Sequence, residues 1–425
     1  MIPLHSAGKN MGTMTVSPKV NSSTRDSAGR WYQFYAMFSD EFAIQAIEQA
    51  SLAANSTILD PWLGVGTTAS AAVSMGHRIV GADINPVAMV ISRGRFATRD
   101  ALLMKASAIS DWILNEPGDS IRNSSDPLSA WFHHAPAKTL RLWQKKITND
   151  IPLDELSPEQ CFMLTTLFEV AASLSQPASR SKNPTWRKRP NPDERVKSSK
   201  KAVCNMVLQC AEKRVLKLSD ATSQSKHHLM VADSRCLPIQ PDSIDFVLTS
   251  PPYCTRIDYA ITTRVESAVL GVDDQLLRDV RERSMGTSTI RGQIQCAEAT
   301  WGEECSSLMD KVSSHPSRHS QTYYLKTFLQ YFSDLQKSLS DVDRCLKPNG
   351  KAAIVVQDSY YKELHIDLPK ILEQMASFLS WEHTQTQSFP VHRSMRSLNA
   401  KSRKYRTNAR TTESVLWFRK SSLKD

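Results

Sequence analysis

Residues 60–68 read DPWLGVGTT and close a short apolar run of the chain. Gly64 and Gly66 stand between that run and a segment of small, helix-forming residues, so the backbone can pass close to a ligand there. A helix beginning near Thr67 would offer free N–H groups to an anion such as a carboxylate. Ala69 occupies the place of the third glycine of a dinucleotide fingerprint, and no phosphate-binding lysine follows. The stretch predicts strand, turn and helix, although such a turn alone is as often structural as ligand-binding.

Five further apolar runs have the length of buried strands. They are Arg78–Ala82, His228–Ala232, Ile244–Leu248, Lys351–Val356 and Ser414–Phe418. Runs of this kind, separated by helical stretches, are typical of an open α/β sheet, whose ligands gather at the carboxyl ends of the strands. Asp83, Asp233 and Ser250 each lie at such an end. We therefore expect them to meet at one edge of the sheet.

Two stretches are too long to be simple connections. The first, at about 87–226, reads as mostly helical, and a Ser157–Gln160 capping box starts one of its helices. The apolar residues behind that box recur at helical spacing and should face the core: Leu164, Leu167, Phe168, Ala171 and Leu174. The second, at about 254–320, is polar and has no clear assignment. We interpret both as substrate-recognition insertions in one domain at 31–425, preceded by a flexible tail at 1–30.

The composition favours a polyanionic partner and gives no membrane signal. The chain of 425 residues has 53 Lys and Arg against 43 Asp and Glu, a formal charge of +10, which suits the phosphates of a nucleic acid. Its eight cysteines lack the spacing of a zinc or redox site, so no metal is expected. We expect a soluble protein of the cytoplasm.

The most specific signal is Ser250-Pro251-Pro252-Tyr253 at the end of an apolar run. Two prolines fix their φ angles and restrict the preceding residue, so the carbonyls take set directions. The Ser250 hydroxyl and the Pro251 carbonyl could accept the two N–H groups of a conjugated base amine, which turns its nitrogen lone pair out of the ring system. Tyr253 supplies a face on which an extruded base can stack.

These motifs together resemble the DNA amino-methyltransferases, which make N4-methylcytosine and N6-methyladenine. Their cofactor motif reads Asp-Pro-Phe-x-Gly-x-Gly-Thr-Thr, from which Trp62 is the one departure, and their catalytic motif fits Ser250–Tyr253. The resemblance implies a Rossmann-like class I methyltransferase: an α/β fold with a mostly parallel seven-stranded sheet, an antiparallel last strand and helical insertions. It covers the sheet strands, roughly half the chain.

The resemblance also implies S-adenosyl-L-methionine as the cofactor. The residues it places at that cofactor are Phe38, Asp60, Gly64, Gly66, Thr67 and Asp83. Asp83 is suited to two ribose hydroxyls, and the later strand end suggests that Asp233 accepts from the adenine amino group. For each of these two aspartates, capping of a turn or helix is the alternative role.

Two basic stretches are candidates for phosphate contacts, with a solvated loop as the alternative for each. The residues of the first are Lys182, Trp186, Arg187, Lys188 and Arg189. The residues of the second are Arg393, Arg396, Lys401 and Arg403. DNA is the favoured partner and RNA the less favoured one.

The sequence thus predicts a DNA methyltransferase that modifies an exocyclic base amine. Ser at the first motif position favours cytosine N4 over adenine N6, since in the family it is commoner among the cytosine enzymes. An RNA amine methyltransferase and a catalytically silent nucleic-acid-binding component are the alternatives. Cys254 invites a nucleophilic role, but the motif for carbon-5 methylation differs. Whether a restriction nuclease or another defence partner accompanies the protein is left open.

Overall fold

The computed structural model describes residues 14–19, 31–34, 37–116, 125–177, 187–218, 227–254, 257–291, 296–391 and 411–422. The strands are β1 (Thr57–Asp60), β2 (Arg78–Asp83), β3 (His227–Val231), β4 (Ile244–Thr249), β5 (Leu346–Gln357), β6 (Ser359–Tyr361), β7 (Leu364–Ile366), β8 (Trp381–Pro390) and β9 (Thr412–Lys420). The helices are α1 (Asp40–Ala50), α2 (Thr67–Ser74), α3 (Pro86–Arg93), α4 (Leu102–Asn115), α5 (His134–Thr148), α6 (Pro158–Ser175), α7 (Lys200–Val215), α8 (Tyr259–Thr262), α9 (Arg264–Val269), α10 (Asp274–Arg283), α11 (Glu303–Ser313), α12 (Leu325–Cys345) and α13 (Leu368–Ser377).

Seven strands form the central sheet, in the order β3-β2-β1-β4-β5-β9-β8. The first five run parallel, whereas β9 is antiparallel to β5, and β8 is antiparallel to β9. The predicted seven-stranded, mostly parallel sheet with an antiparallel last strand is confirmed. Because β1 to β4 run parallel and adjacent, their carboxyl ends lie along one edge, where the candidate residues were expected.

Two details of the sheet differ from the sequence-based expectation. Residues 347–350, which precede the apolar run at Lys351–Val356, are an irregular part of β5, where the pairing with β4 shifts register and Asn349 has a φ of 62°. Strand β8 was not predicted. Its sequence WEHTQTQSFP is polar, and most of its side chains are at least partly exposed because it forms an edge of the sheet.

Helices cover both faces of the sheet and form a third layer beside it. Helices α1 and α2 pack on one face, and α11, α12 and α13 pack on the other. A separate apolar cluster is built mainly by α3–α7 and α9, and among the described residues none of its buried members lies on a strand. The prediction that the first long stretch is mostly helical is confirmed.

The predicted start of α6 is present in full. The Ser157 side chain accepts from the Gln160 backbone N–H, and the Gln160 side chain accepts from the Ser157 N–H. Behind it, Leu164, Leu167, Phe168 and Ala171 are buried and Leu174 is partly buried. The second long stretch, which the sequence left unassigned, contains α8–α11.

Part of the N-terminal segment is packed against the domain. Residues 14–19 lie within the predicted flexible tail, yet Met14 is buried and the Thr15 backbone N–H donates to Gln45 on α1. Lys19 forms an isolated antiparallel bridge with Phe38. None of the helices in the described ranges is both long enough and apolar enough to cross a membrane.

Candidate active site

A cavity opens at the carboxyl ends of β1–β4. It holds about 970 Å³ of empty space, part of it open to solvent. The predicted site residues that line it are Phe38, Asp60, Gly64, Thr67, Asp83, Asp233, Ser250 and Pro252. Residues from two halves of the chain, before and after the helical layer, therefore meet in one cavity.

The glycine turn forms one wall of this cavity. Gly64 and Gly66 have φ angles of 53° and 76°, a backbone region that favours glycine. A Cβ atom on Gly66 would lie 2.8 Å from the Cβ of Ser92, so the close packing of α3 also requires glycine there. The turn leads directly into α2, whose first N–H groups have no partner one turn earlier in the helix.

The side-chain hydroxyl of Thr67 is a polar group available to a ligand in this cavity. Its hydroxyl oxygen is buried and has no hydrogen-bond partner in the structure, although its residue lines the cavity. Buried polar atoms are normally hydrogen-bonded, so an unpaired hydroxyl on a residue that lines the cavity fits a bound polar ligand. Together with the start of α2, this hydroxyl suits a carboxylate such as that of S-adenosylmethionine.

Asp60, at the end of β1, is hydrogen-bonded to side chains of β4 and α2. Its Oδ1 accepts from the Thr249 hydroxyl at 2.6 Å and its Oδ2 from the Thr68 hydroxyl at 2.7 Å. The Trp62 N–H also donates to Oδ1, at 3.2 Å. Burial raises the pKa of Asp60 to about 6, against the lowering effect of these bonds. Asp60 lies in the cavity wall; its Oδ1 accepts two bonds and its Oδ2 one, and its predicted cofactor contact stays a prediction.

Asp83 lines the cavity at the end of β2, and its predicted ribose contact stays a prediction. Its two carboxylate oxygens accept from the backbone N–H groups of Gly64 and Asn85, both at 2.9 Å. These bonds orient the carboxylate at the cavity and leave each oxygen a further lone pair for a ligand hydroxyl. Burial raises the pKa of Asp83 to about 6, so it is mostly ionised at pH 7.

Asp233 lies in the cavity but carries an arginine partner that the sequence reasoning missed. Arg235 donates to both of its oxygens, at 2.9 and 2.6 Å, and also to Asp334 on α12 at 2.6 Å. Burial alone would raise the pKa of Asp233, and the bonds from Arg235 bring it below its usual value. Because Arg235 lies two residues after Asp233, the sequence could have predicted this pair. Asp334 is about 100 residues further along the chain, and nothing in the sequence indicates its contact with Arg235. The predicted adenine contact of Asp233 stays a prediction.

The Ser250–Tyr253 motif stands beside the same cavity. Ser250 and Pro252 line it, and the half-buried Tyr253 follows. The Pro252 carbonyl accepts from the Tyr331 hydroxyl at 2.9 Å. Tyr259 also lines the cavity; burial raises the pKa of its hydroxyl, and the backbone of Tyr253 lowers it. The two additional tyrosines were not predicted, and for Tyr331, on the distant α12, the sequence gives no signal.

Two further groups lie near the motif. Cys254 is buried, and burial raises the pKa of its thiol well above the usual value, which disfavours the thiolate that a nucleophilic role needs. Glu413, at the start of β9, interacts electrostatically with Tyr253. Burial raises the pKa of Glu413 to about 7, while the Lys19 charge and backbone N–H lower it.

The predicted phosphate contacts are only partly within the described residues. Arg187 pairs with the buried Glu266 at 3.4 Å, Arg189 pairs with Asp274, and Lys188 is exposed. The others lie outside the described residues: Lys182, Trp186, Arg393, Arg396, Lys401 and Arg403. The two arginines thus have internal partners, and the role of the group stays a prediction.

Sheet order, strand directions and the cavity at the carboxyl ends together define a class I, S-adenosylmethionine-dependent methyltransferase. Residues 244–424 match the N6/N4 family model described as DNA methylase. The predicted resemblance to the DNA amino-methyltransferases is confirmed by this match.

Three curated relatives are similar over most of the chain. The type II methyltransferase M.BsoBI of Geobacillus stearothermophilus is 23% identical over 382 residues, which cover 81% of this chain and 70% of the relative. M.AvaI of Nostoc is 22% identical, covering 82% and 77%, and M.MvaI of Kocuria varians is 22% identical, covering 84% and 82%.

Two solved structures are also similar in outline. A methyltransferase from Methanosarcina mazei has a TM-score of 0.31 and 10% identity, covering 88% of this chain and 97% of that one. The YcgJ protein of Bacillus subtilis has a TM-score of 0.33 and 9% identity, covering 90% and 99%.

Proposed function

We propose that the protein transfers a methyl group from S-adenosylmethionine to an exocyclic amine of a DNA base, with cytosine N4 as the favoured target. The observation that carries this proposal is the position of Ser250 and Pro252 in the same cavity as Asp83 and Thr67. A methyl donor held on one wall would thus face an amine held on the other. Because the relatives are type II methyltransferases, we extend that class to this chain.

The cofactor would be held by the residues of the β1–β2 side. The unpaired Thr67 hydroxyl and the start of α2 fit its carboxylate, and Asp83 fits its ribose hydroxyls. Phe38 adds an apolar surface to the wall. When bound, S-adenosylmethionine supplies an electrophilic methyl group on a positively charged sulfur.

The amine would be held by the motif. Its two N–H groups would donate to the Ser250 hydroxyl and the Pro251 carbonyl, and this removes the nitrogen lone pair from conjugation with the ring. The base would reach the motif by leaving the DNA stack and would stack on Tyr253. Once the nitrogen is alkylated its proton is acidic, so the reaction needs no strong general base.

The choice of cytosine over adenine rests on Ser250. In the resembling family, serine at this position is commoner among cytosine-N4 enzymes. A hydroxyl can accept from either amine, so adenine N6 is the alternative within the same mechanism.

The test is to incubate the protein with methyl-labelled S-adenosylmethionine and either unmethylated genomic DNA or total RNA. Each nucleic acid is then digested to nucleosides, and the labelled one is identified by mass spectrometry. We expect N4-methylcytosine from DNA. N6-methyladenine would retain the mechanism and correct the base, label in RNA alone would overturn the DNA assignment, and binding of the cofactor and DNA without label would favour a silent component.

A further inference from the structure

One peptide unit of the motif lies beside two tyrosine side chains. The unit between Pro252 and Tyr253 offers a carbonyl oxygen at one end and an N–H at the other. Tyr331 donates to the carbonyl at 2.9 Å. Tyr259 lines the cavity beside Pro252; burial raises the pKa of its hydroxyl, and the backbone of Tyr253 lowers it. Both hydroxyls are therefore placed to act on the same rigid plane.

The two tyrosines lie on different helices, and each ring packs against its own neighbours. Tyr331 lies on α12, is 1% exposed, and has its ring packed edge-on against Phe332 at 5.3 Å. Tyr259 begins α8, and its ring stacks with Phe34 at 6.4 Å and 21°. Each hydroxyl is thus held in place by the packing of its own ring before it meets the motif.

The motif needs such external contacts because of its own chemistry. Proline fixes φ but leaves ψ free to choose between the extended and the helical range. Pro251 and Pro252 also have no N–H with which to anchor themselves to a neighbouring strand. The orientation of the Pro251 carbonyl, which is the proposed acceptor for the amine, therefore depends on what holds the next peptide unit.

A third contact limits the same loop. Gly286 has a φ of 74°, and a Cβ atom there would lie 3.0 Å from the Tyr253 carbonyl oxygen. The backbone at Gly286 thus packs closely against the Tyr253 carbonyl, which belongs to the peptide unit that follows the one held by Tyr331.

We propose that Tyr331 and Tyr259 are positioning residues for methyl transfer, which orient the Pro252–Tyr253 peptide unit and through it the groups that receive the amine. The inference rests on the proposed function of the Ser250–Tyr253 motif. It assigns to each hydroxyl an effect on turnover that exceeds its effect on folding or on cofactor binding.

The test compares Tyr331→Phe, Tyr259→Phe and the double variant with the wild type. Tyr361→Phe is the matched control, because Tyr361 is also buried and its hydroxyl bonds to Ser320 away from the motif. The measurements are the single-turnover methylation rate on unmethylated genomic DNA, the Kd for S-adenosylmethionine and the Tm.

We expect each single change to lower the single-turnover rate about 10-fold, since loss of either hydroxyl removes a polar partner of the loop. The double variant should lose well under 100-fold, because both hydroxyls act on one peptide unit and their effects are not additive. For Tyr331→Phe, the cofactor Kd should stay within about 2-fold of the wild-type value. The control should keep the wild-type rate.

Each result bears on a separate claim. A wild-type protein that methylates no DNA would defeat the proposed function itself. An active wild type whose Tyr331→Phe and Tyr259→Phe variants turn over at its rate would overturn this inference alone. The inference would also be overturned if the methylation rates of these variants fell only in proportion to their Tm values and Tyr361→Phe showed the same fall. If Tyr331→Phe does not fold, Tyr259→Phe on the separate helix α8 decides the question.

Discussion

The Thr249 hydroxyl donates to the Asp60 carboxylate at 2.6 Å. Asp60 ends β1 and begins the glycine turn, and Thr249 ends β4 and is followed by Ser250. This bond therefore connects the cofactor side of the cavity with the amine side at the level of the strand ends. The distance between the two sides is set within the sheet and does not depend on the loops above it.

We predict that Thr249→Val weakens this connection. The isosteric valine removes the donor and leaves a buried carboxylate with one bond fewer, which should lower the free energy of unfolding by about 1–3 kcal/mol. Urea unfolding measures the loss, and Thr249→Ser, which keeps the hydroxyl, should recover most of it. Equal stability of the valine variant and the wild type would contradict this role of Asp60.

A second prediction concerns Glu413 and pH. Its pKa is raised by burial from 4.5 to about 7. Above pH 7 the carboxyl is ionised in both the folded and the unfolded protein, so the full cost of the buried charge is present. As the pH falls from about 7 to 4.5 the folded protein takes up the proton first, and this cost disappears.

Glu413→Gln should therefore raise the free energy of unfolding at pH 8, by at most about 3 kcal/mol, and have little effect at pH 4.5. Unfolding curves at both pH values measure the difference. Glu382→Gln is the control, since Glu382 is 56% exposed in its ion pair with Arg419 and should show no such pH dependence. A gain that is equal at both pH values would refute the assignment.

A third prediction separates the two walls of the cavity. Asp83→Ala removes the proposed ribose acceptor and should weaken S-adenosylmethionine binding by at least about 10-fold, as measured by calorimetry. Ser250→Ala should instead lower kcat by about 10-fold or more and leave that Kd nearly unchanged. If both variants lose affinity and turnover to the same extent, the division of roles is wrong.

The fourth prediction concerns Arg235, whose side chain is 17% exposed between Asp233 and Asp334. Arg235→Met should destabilise the fold by roughly 3–5 kcal/mol, since it leaves the largely buried Asp233 without its main cation and leaves Asp334 with Arg291 alone. Thermal or urea unfolding measures this. Arg419→Met, which breaks only the exposed pair with Glu382, should cost less than about 1 kcal/mol, and a similar cost for both would argue against the network.

The sequence was sufficient for those parts of the molecule that are encoded locally. The apolar runs gave the strands around Asp60, Asp83 and Ser250, because a buried strand is apolar over its whole length. Strand β8 was not predicted because a strand at the edge of a sheet needs few apolar residues. Its sequence WEHTQTQSFP has no pattern that distinguishes it from a loop.

The sequence predicted those residues of the candidate site that lie at the carboxyl ends of strands, because the apolar runs locate the strands. From α12, Tyr331 bonds to Pro252 of the motif and Asp334 bonds to Arg235 at the cavity. The residues of each pair are about 80–100 positions apart, and the local sequence around them does not indicate such a contact. Asp60 shows the reverse case. Its place in the motif was recognised, but only the structure reveals that its oxygens accept from the hydroxyls of Thr68 and Thr249.

The helical layer of α3–α7 and α9 has its own apolar interior, which shares no buried strand residue among those described. The layer meets the site through α3 and through Val65 of the glycine turn. A change of side-chain volume within α4–α7 that leaves those contacts in place therefore need not move the strand ends that hold the chemistry. Over evolutionary time α4–α7 are free to diverge and acquire new surfaces while the reaction is preserved. A designer could likewise exchange α4–α7 as a module, provided that the replacement presents the same face to α3.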